Sequence, residues 1–372
     1  MTIPSYPVTV ATIKNYLLNH SLLGNPNTSF SQVLNHYRCI QVDPIDVVAK
    51  SHELVLFNRI PNFSRQDLQS HLYQKRDVFE YWLQMYSIIP VQFFPYLAAR
   101  RTTQEDWHNK FLHQHQNQLN QVRLYIQSHG PTSSFDLVHI ESQSKSLFSW
   151  SNSTTNNSLL EYLWDKCEIS ISQRHQNRKY YDFTWRLFPN IIQTIPIKES
   201  KAWILDSFFR YFGILQPSKL NRVGYARNLN LNQLLDTWVT QGVVIPLSIP
   251  QISTKYYVLA SQIPLIEKSS QDTDQSINII SPLDPMIIDR RILQDIFNFT
   301  YTWEAYIPAN KRKFGYYGMP VLYKGNFVGQ VELAKSNNTL SIKSADIPDA
   351  DTNLRNSLKT EINRMADFIY YQ

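Results

Sequence analysis

The sequence predicts an α+β protein built from tandem winged-helix (helix-turn-helix) modules, with a C-terminal β-barrel-like domain. Three observations favour this fold class. Amphipathic helical segments are followed by short segments of alternating apolar residues, which is typical of helices packed beside hairpins. The order of two helices and a hairpin recurs before residue 265. After residue 277, alternating apolar segments dominate until a last amphipathic helix.

Length, charge and cysteine content limit the classes of protein to which this chain can belong. The chain has 372 residues, of which 43% are hydrophobic, enough for two to four folded modules. The net charge of +6 suits a polyanionic partner without requiring one. Cys39 and Cys167 lie too far apart for a disulfide framework or a zinc-ligand set, so a reducing compartment is expected. Because no signal peptide or membrane span is recognisable, we expect a cytoplasmic protein.

Several catalytic classes are excluded by missing motifs. The nine glycines form neither GxGxxG nor GxxxxGK, the phosphate-binding patterns of Rossmann and P-loop proteins. GxSxG and HExxH are absent too. The ten histidines are scattered along the chain. The sequence therefore predicts no metal and no cofactor.

The first predicted module covers residues 1–128. Its N-terminal signals are polar caps ahead of apolar residues at helical spacing. The expected elements are a helix capped by Thr9, a helix over Ser29–Arg38, a strand over Ile40–Asp43 stopped by Pro44, and a helix over Val47–Phe57 capped by Asp46.

Three further modules are predicted. Residues 129–192 form a second winged-helix module with a hairpin at Glu168–Phe183, and residues 195–265 form a third winged-helix-like module. The C-terminal β domain and terminal helix occupy residues 277–372. Its expected elements are strands over Thr302–Ile307 and Val321–Leu333, the latter turned at Lys324-Gly325, and a helix over Thr352–Tyr370.

Gln41 and Asp43 are the strongest candidates for chemistry. Side chains alternate along an extended segment, so these two residues share one face while Val42 points into the core. Their Cβ atoms would be about 7 Å apart, close enough to reach one water or one sugar. An aspartate before a proline is also a common turn or capping residue, so spacing alone does not assign a role.

A set of short motifs along the chain carries a family resemblance. Their members are Ile40–Ile45, Val47–Lys50 with His52 and Arg59, Phe79–Trp82 with Pro90, Gly130-Pro131, Tyr180–Asp182 with Pro189, Ser281–Pro285 with Arg290, Glu304–Pro308, Arg312, Gly315–Tyr317, Pro320 and Gly329. In this order they resemble a bacterial family of winged-helix DNA glycosylases, the azinomycin-resistance and interstrand-crosslink-unhooking enzymes. The resemblance spans roughly residues 5–370.

The resemblance implies an activity and its residues. The family pattern Gln-apolar-Asp falls on Gln41 and Asp43. The implied reaction is hydrolysis of the N-glycosidic bond of bulky N7-alkylated guanine in DNA repair, with unhooking of crosslinks as an extension. Alkylation makes the base a cation that leaves as a neutral molecule without a general acid. An ionised Asp43 can then stabilise the oxocarbenium-like sugar and direct a water held by Gln41. His52 could contact DNA, orient Asp43 or simply fill the interior.

Basic clusters are the candidate DNA contacts. We expect contacts with phosphates mainly from the hairpin residues Arg174, Arg178 and Lys179 and from Lys311, Arg312 and Lys313, although any cluster can be a solvated surface. The pairs Arg100-Arg101 and Arg290-Arg291 are further candidates. The expected partner is alkylated or crosslinked double-stranded DNA, bound by a monomer without a membrane.

Two other functions remain open at this stage. A non-catalytic winged-helix regulator would bind DNA sequence-selectively and release no product. A scaffold of helical modules for protein partners would lose little affinity with salt. Three departures from the family pattern, Gln84, Gln330 and Ala334, put the substrate range and DNA affinity in doubt.

Overall fold

A computed structural model describes residues 4–102, 106–140, 155–191, 195–220, 229–269, 277–348 and 351–371. The chain divides into two compact units. The larger unit comprises Met1–Asp67, Gln84–Ser87 and Leu205–Gln372. The smaller unit comprises Leu68–Leu83 and Ile88–Ile204. The chain therefore mixes helices and strands in both units, as the α+β prediction requires.

Helices alternate with short strands along the chain. The helices are α1 Val10–His20, α2 Phe30–Tyr37, α3 Ser51–Phe57, α4 Arg65–Gln69, α5 Ala98–Thr102, α6 Asp106–His129, α7 Thr155–Asp165, α8 Thr184–Leu187, α9 Ile197–Phe212, α10 Leu231–Thr240, α11 Ile263–Lys268, α12 Arg290–Phe297 and α13 Thr352–Tyr370. The strands are β1 Tyr6–Pro7, β2 Ile40–Gln41, β3 Val78–Trp82, β4 Tyr86–Pro90, β5 Ile169–His175, β6 Arg178–Phe183, β7 Val244–Ser248, β8 Tyr256–Leu259, β9 Ile277–Ile279, β10 Met319–Tyr323, β11 Asn326–Ser336 and β12 Thr339–Asp346.

Polar caps start the first two helices, as predicted. The Thr12 N–H donates to the Thr9 hydroxyl at the start of α1. Ser29 and Gln32 form a reciprocal capping box at the start of α2. Each cap satisfies backbone donors that the first helical turn leaves without partners.

The predicted start of the third helix is wrong. We expected Asp46 to cap a helix beginning at Val47, but α3 begins at Ser51 and its N-cap residue is Lys50. The Lys50 N–H donates to the Glu53 carboxylate at 3.2 Å, which serves the cap instead. Asp46 forms an isolated bridge with Lys50, and its carboxylate pairs with Lys335 at 3.0 Å. Residues 46–50 therefore form a turn, and the helix begins only at Ser51.

One hydrophobic core joins the N-terminal helix of the larger unit to segments far along the chain. Strand β1 pairs in parallel with β7, and β7 pairs with β8 in the antiparallel sense. Helices α1 and α12 pack their apolar residues into the same core. Its fully buried members include Ile13, Ile214, Tyr256, Val258, Ile266, Ile280, Ile287 and Leu293.

The C-terminal strands form an open sheet instead of the expected barrel. Among the described residues, the order is β12-β11-β10-β9, all antiparallel, and the two outer strands do not pair with each other. The turn at Lys324-Gly325 is confirmed, and both residues have the positive φ that a two-residue hairpin turn needs. Helix α13 is also confirmed, with Leu354, Leu358, Ile362 and Met365 buried on one face.

The strand predicted at Thr302–Ile307 is wrong. This segment forms turns, because the Glu304 side chain accepts backbone hydrogen bonds from residues 313–315 where a strand would pair its own backbone. Strand β12 was missed: it is mostly exposed, and only Leu340 and Ile342 give it an apolar alternation.

The smaller unit contains the predicted basic hairpin and a long helix. Strands β5 and β6 pair in the antiparallel sense, with His175 opposite Arg178 at the tip. Helix α6 is 24 residues long and has a non-helical residue at His115. Residues 141–154 of the predicted second module lie outside the described part of the chain.

Helices α9 and α10 followed by strands β7 and β8 reproduce the element order predicted for residues 195–265. The division into modules at 1–128, 129–192, 195–265 and 277–372 stays a prediction about local organisation.

Candidate active site

The Gln41-Val42-Asp43 segment is extended at the end of β2. Ile40 is fully buried, and the Val42 N–H donates to the Tyr86 carbonyl at 2.8 Å, so pairing continues past the strand. Val42 itself is only half-buried. Because side chains alternate along extended backbone, this pairing favours Gln41 and Asp43 on one side.

Asp43 is a buried carboxylate that forms no ion pair within the described residues. It is 8% exposed, and its Oδ1 accepts a hydrogen bond from the Ile45 N–H at 2.8 Å. This is the turn contact that an aspartate before proline commonly makes. Among the described residues, the other carboxylate oxygen, Oδ2, has no hydrogen-bond partner. Oδ2 is not enclosed away from solvent. Burial raises the pKa of Asp43 above its ordinary value of 3.8, and the Ile45 hydrogen bond opposes the rise.

Gln41 carries an unsatisfied amide oxygen two residues before this carboxylate. Its Oε1 is buried and has no hydrogen-bond partner in the described ranges. Leaving a buried acceptor unpaired costs about 1–3 kcal/mol, so such an atom is retained where a water or ligand can meet it. Gln41 and Asp43 thus each contribute, from one short segment, one oxygen without a hydrogen-bond partner among the residues that the structure describes.

Two tyrosine side chains, Tyr306 and Tyr317, lie in the neighbourhood of Asp43, and Trp303 packs against both. Burial and then the Asp43 charge raise the pKa of both Tyr306 and Tyr317. The Trp303 ring packs edge-on against both, with centroids 5.4 Å from Tyr306 and 6.1 Å from Tyr317. Tyr317 is 1% exposed, whereas Tyr306 is 78% exposed. A buried and an open aromatic ring therefore share the neighbourhood of one carboxylate.

The basic loop at residues 311–313 belongs to the same region. The Glu304 carboxylate accepts hydrogen bonds from the backbone N–H groups of Lys313, Phe314 and Gly315 at 2.8–3.0 Å, which lowers its pKa. The Arg312 guanidinium donates to the Ile307 carbonyl at 2.9 Å and lies over the Tyr316 ring. Burial, Asp43 and then Tyr316 raise the pKa of Tyr306, so Arg312 joins this neighbourhood through Tyr316.

A family model, DNA glycosylase AlkZ-like, matches residues 34–368 of this sequence. The chain belongs to the AlkZ-like DNA glycosylase family. A solved structure, the Streptomyces sahachiroi DNA glycosylase AlkZ, superimposes with a TM-score of 0.66. That match covers 98% of this chain and 97% of the other at 12% sequence identity, so it supports the fold. The family assignment identifies the protein as a DNA glycosylase, an enzyme of DNA repair whose substrate is DNA.

Membership in the AlkZ-like family confirms the resemblance predicted from the motifs. In the described ranges, no helix is both long and apolar enough to cross a membrane. Nor do three His, Cys, Asp or Glu side chains gather into a metal-binding group in that part of the chain.

His52, the predicted supporting residue of this AlkZ-like enzyme, is buried in the first turn of α3. The hydrogen bond that Asp43 accepts at Oδ1 comes from the Ile45 N–H. Neighbouring Ser51 contacts the Ser281 hydroxyl at 2.9 Å, so this turn packs against the Ser281–Pro285 motif. Gln41 and Asp43 lie two residues apart on one extended segment, and His52 lies in the helical turn that follows them.

The hairpin cations of the smaller unit have internal partners. Arg174 forms a salt bridge with the buried Glu80 at 2.5 Å. The Lys179 ammonium lies 5.0 Å from the Trp164 ring centroid, and the Arg178 guanidinium lies 3.8 Å from that of Phe135. Arg178 and Phe135 are both exposed. Of the three predicted DNA-binding residues, Arg178 is the most open to solvent.

The residues of the other two basic pairs also have partners within the protein. Arg100 is buried and pairs with Asp165, and Arg101 lies over the Phe94 ring. Arg290 donates to the Pro282 carbonyl at 2.9 Å, while Arg291 pairs with Asp295.

The family departure at Gln84 also has a structural role. Its amide donates to the Ser207 carbonyl at 3.0 Å and accepts from the Cys39 thiol at 3.1 Å. This side chain is 5% exposed and both ends of its amide are engaged.

Sequence reasoning did not assign roles to Trp303, Tyr306 or Tyr317. The signal was present, because Glu304–Pro308 and Gly315–Tyr317 are two of the motifs that carry the family resemblance. The motifs could not show that these residues lie near Asp43, because Asp43 is about 260 residues earlier in the sequence.

Proposed function

We propose that this enzyme hydrolyses the N-glycosidic bond of N7-alkylated guanine in double-stranded DNA, with Asp43 and Gln41 as its catalytic residues. The observation that carries the proposal is a pair of oxygens without hydrogen-bond partners in the described residues: Oδ2 of the Asp43 carboxylate and the buried Oε1 of Gln41. Both belong to one extended segment of a chain in a glycosylase family.

The proposed step breaks the bond between C1′ of the sugar and N9 of the base. Alkylation at N7 makes the base a cation, so the bonding electrons neutralise it and it leaves without a proton from the enzyme. The Asp43 carboxylate stabilises the positive charge that develops on the sugar. A water then attacks C1′ and its proton passes to Asp43, while Gln41 Oε1 accepts a hydrogen bond from that water. The products are the free base and an abasic site.

The raised pKa of Asp43 fits this role. A carboxylate less stabilised by its surroundings is a stronger base than one held in an ion pair. The rate of base release should therefore fall as the pH drops through a value above 3.8, the ordinary pKa of an aspartate. His52, buried in the first turn of α3 after this segment, is the proposed supporting residue.

An open site suits a bulky lesion. Tyr306, beside Asp43, is 78% exposed, so a base that carries a large substituent or remains tethered to the opposite strand need not enter a closed pocket. We extend the proposal to crosslinks on this ground. The winged-helix modules and the cations Arg178, Lys311, Arg312 and Lys313 would hold the duplex by its phosphates, with Arg174 and Lys179 shaping the hairpin.

Base release from duplex DNA containing N7-methylguanine tests the catalytic residues. We expect Asp43→Asn to reduce the single-turnover rate by about a hundredfold to ten-thousandfold. Gln41→Ala should reduce it by about tenfold to a hundredfold, the effect of losing one hydrogen bond to the reacting water.

Asp46→Asn is the matched control. Asp46 is an aspartate three residues further on, exposed and paired with Lys335, and its substitution should leave the rate within about twofold. Equal rates for Asp43→Asn and wild type would remove Asp43 from catalysis. Binding of DNA with no base release from any alkylated duplex would favour a non-catalytic DNA-binding protein.

A further inference from the structure

Tyr306 is an exposed aromatic residue that the hydrolysis outlined above does not use. Its side chain is 78% exposed. A single exposed aromatic residue carries no meaning by itself. Tyr306 differs because its ring is packed edge-on against Trp303, at a centroid distance of 5.4 Å and an interplanar angle of 76°. Trp303 in turn packs on the buried Tyr317 ring. The exposed Tyr306 ring thus packs on Trp303, which itself packs on a buried ring.

The loop that carries Tyr306 is also held in place. The Ile307 N–H donates to the Glu304 carbonyl at 3.0 Å, and the Lys311 N–H donates to the Pro308 carbonyl at 2.8 Å. The Glu304 carboxylate binds three backbone N–H groups of the following turn. An aromatic ring positioned in this way loses little freedom when a ligand stacks on it.

The chemistry around the ring favours a cation. The faces of aromatic rings carry partial negative charge and attract cations within about 6 Å of the centroid. Asp43 adds a full negative charge to the same neighbourhood, since after burial it is the main cause that raises the pKa of the Tyr306 hydroxyl. A neutral base would gain stacking alone, whereas a base with a positive charge would gain both stacking and electrostatic attraction.

We propose that Tyr306 is a specificity-determining residue that receives the positively charged, N7-alkylated base by stacking while Asp43 faces the sugar. This inference rests on the proposed function and adds a means of selection to it. Selection by charge requires no enclosing pocket, so it works equally for small and bulky alkyl groups. Undamaged guanine has the same ring without the charge and is held less tightly.

Binding to two uncleavable duplexes tests the proposal. One contains 2′-fluorinated N7-methylguanine, which is cationic and resists hydrolysis. The other contains 7-methyl-7-deazaguanine, which has the same shape and no charge. In Asp43→Asn protein, where the carboxylate cannot attract the cation, we expect the cationic duplex to bind about threefold to thirtyfold more tightly. Adding Tyr306→Leu should abolish this preference, and adding Tyr306→Phe or Tyr306→Trp should preserve it.

Tyr371→Leu is the matched control, because Tyr371 is 71% exposed and offers the same loss of aromatic surface elsewhere. A preference that persists in Tyr306→Leu, or that disappears equally in the leucine, phenylalanine and tryptophan variants, would overturn the proposal. So would its absence from the Asp43→Asn protein.

Failure of the proposed function has a different signature. It would appear as continued base release from ordinary N7-methylguanine DNA by Asp43→Asn. The preference measured on uncleavable DNA would still decide the role of Tyr306 in that case.

Discussion

Two buried aspartates of the larger unit have opposite surroundings. Asp284 is fully buried, and its two oxygens accept hydrogen bonds from the Arg59 guanidinium at 2.7 and 2.8 Å. The Met286 N–H donates to it as well. Asp43 is nearly as buried but accepts one backbone hydrogen bond and, within the described ranges, forms no ion pair. Both residues lie in motifs that carry the family resemblance, so motif membership alone does not separate their roles.

The difference between the two aspartates is whether the protein itself satisfies the charge. Arg59 also donates to the Ser21 and Val55 carbonyls, so the Asp284 pair is a closed network that joins α3 to the segment before α12. Such a pair contributes to stability only while both partners are present. Asp43 has one oxygen without a hydrogen-bond partner among the described residues, and its pKa is raised. The closed carboxylate is structural, and the open one is the candidate for catalysis.

The largest effect on stability should follow from opening the closed pair. Asp284→Ala leaves the Arg59 charge buried without a counter-ion, and we expect the free energy of unfolding to fall by about 3–5 kcal/mol. Urea denaturation monitored by tryptophan fluorescence measures it. The double substitution Arg59→Met with Asp284→Leu removes both charges and should recover much of the loss. Asp43→Asn is the comparison variant, and a loss of stability there as large as in Asp284→Ala would contradict the distinction.

Sequence reasoning was most successful where the signal is local. The caps at Thr9 and Ser29, the two-residue turn at Lys324-Gly325 and the apolar face of α13 depend on residues within a few positions of each other. The family motifs added the glycosylase assignment, which the family match confirms. The Gln41 and Asp43 roles remain a proposal.

The failures share a long-range cause. Asp46 has the sequence of a helix cap, but its carboxylate pairs with Lys335, far along the chain. Thr302–Ile307 alternates like a strand, but Glu304 and the aromatic rings of this segment have partners at residues 313–317. The expected barrel is an open sheet, because closure depends on pairing between outer strands that local patterns do not specify. The aromatic neighbours of Asp43 were missed for the same reason.

A moderate effect should appear in the pH dependence of stability, with opposite signs at two carboxylates of the site. Three backbone hydrogen bonds lower the pKa of Glu304, so its contribution is present above its ordinary pKa of 4.5 and is lost as pH falls through the lowered value. Burial raises the pKa of Asp43, so ionisation opposes folding once the pH exceeds the raised value, and the penalty vanishes below 3.8.

Glu304→Gln should therefore destabilise the protein at neutral pH, by about 1–2 kcal/mol, and less in acid. Asp43→Asn should slightly stabilise it at neutral pH, again with a smaller difference in acid. Unfolding free energies measured from about pH 3 to pH 8 give both curves. Matching signs for the two variants at neutral pH would show that Asp43, like Glu304, is held by its surroundings.

The smallest effect extends the comparison to cations. Lys311 and Lys313 are exposed and form no ion pair in the described part of the chain, whereas Arg174 is bound to the buried Glu80. If open charges are the functional ones, Lys311→Gln with Lys313→Gln should weaken DNA binding. The dependence of log Kd on log salt concentration should become shallower by about one unit for each phosphate that the variant no longer neutralises.

Arg178→Gln, in the exposed hairpin tip, should reduce the same slope by up to about one unit. Arg174→Gln should leave the slope unchanged and instead lower the free energy of unfolding, because it leaves Glu80 buried without its partner. Fluorescence anisotropy with one undamaged duplex at several salt concentrations separates these outcomes, since phosphate contacts do not depend on the lesion. A slope that changes for Arg174→Gln but not for the lysine pair would mean that cations held by internal partners still contact DNA. The presence of a partner inside the protein would then separate structural from functional charged residues only for the carboxylates.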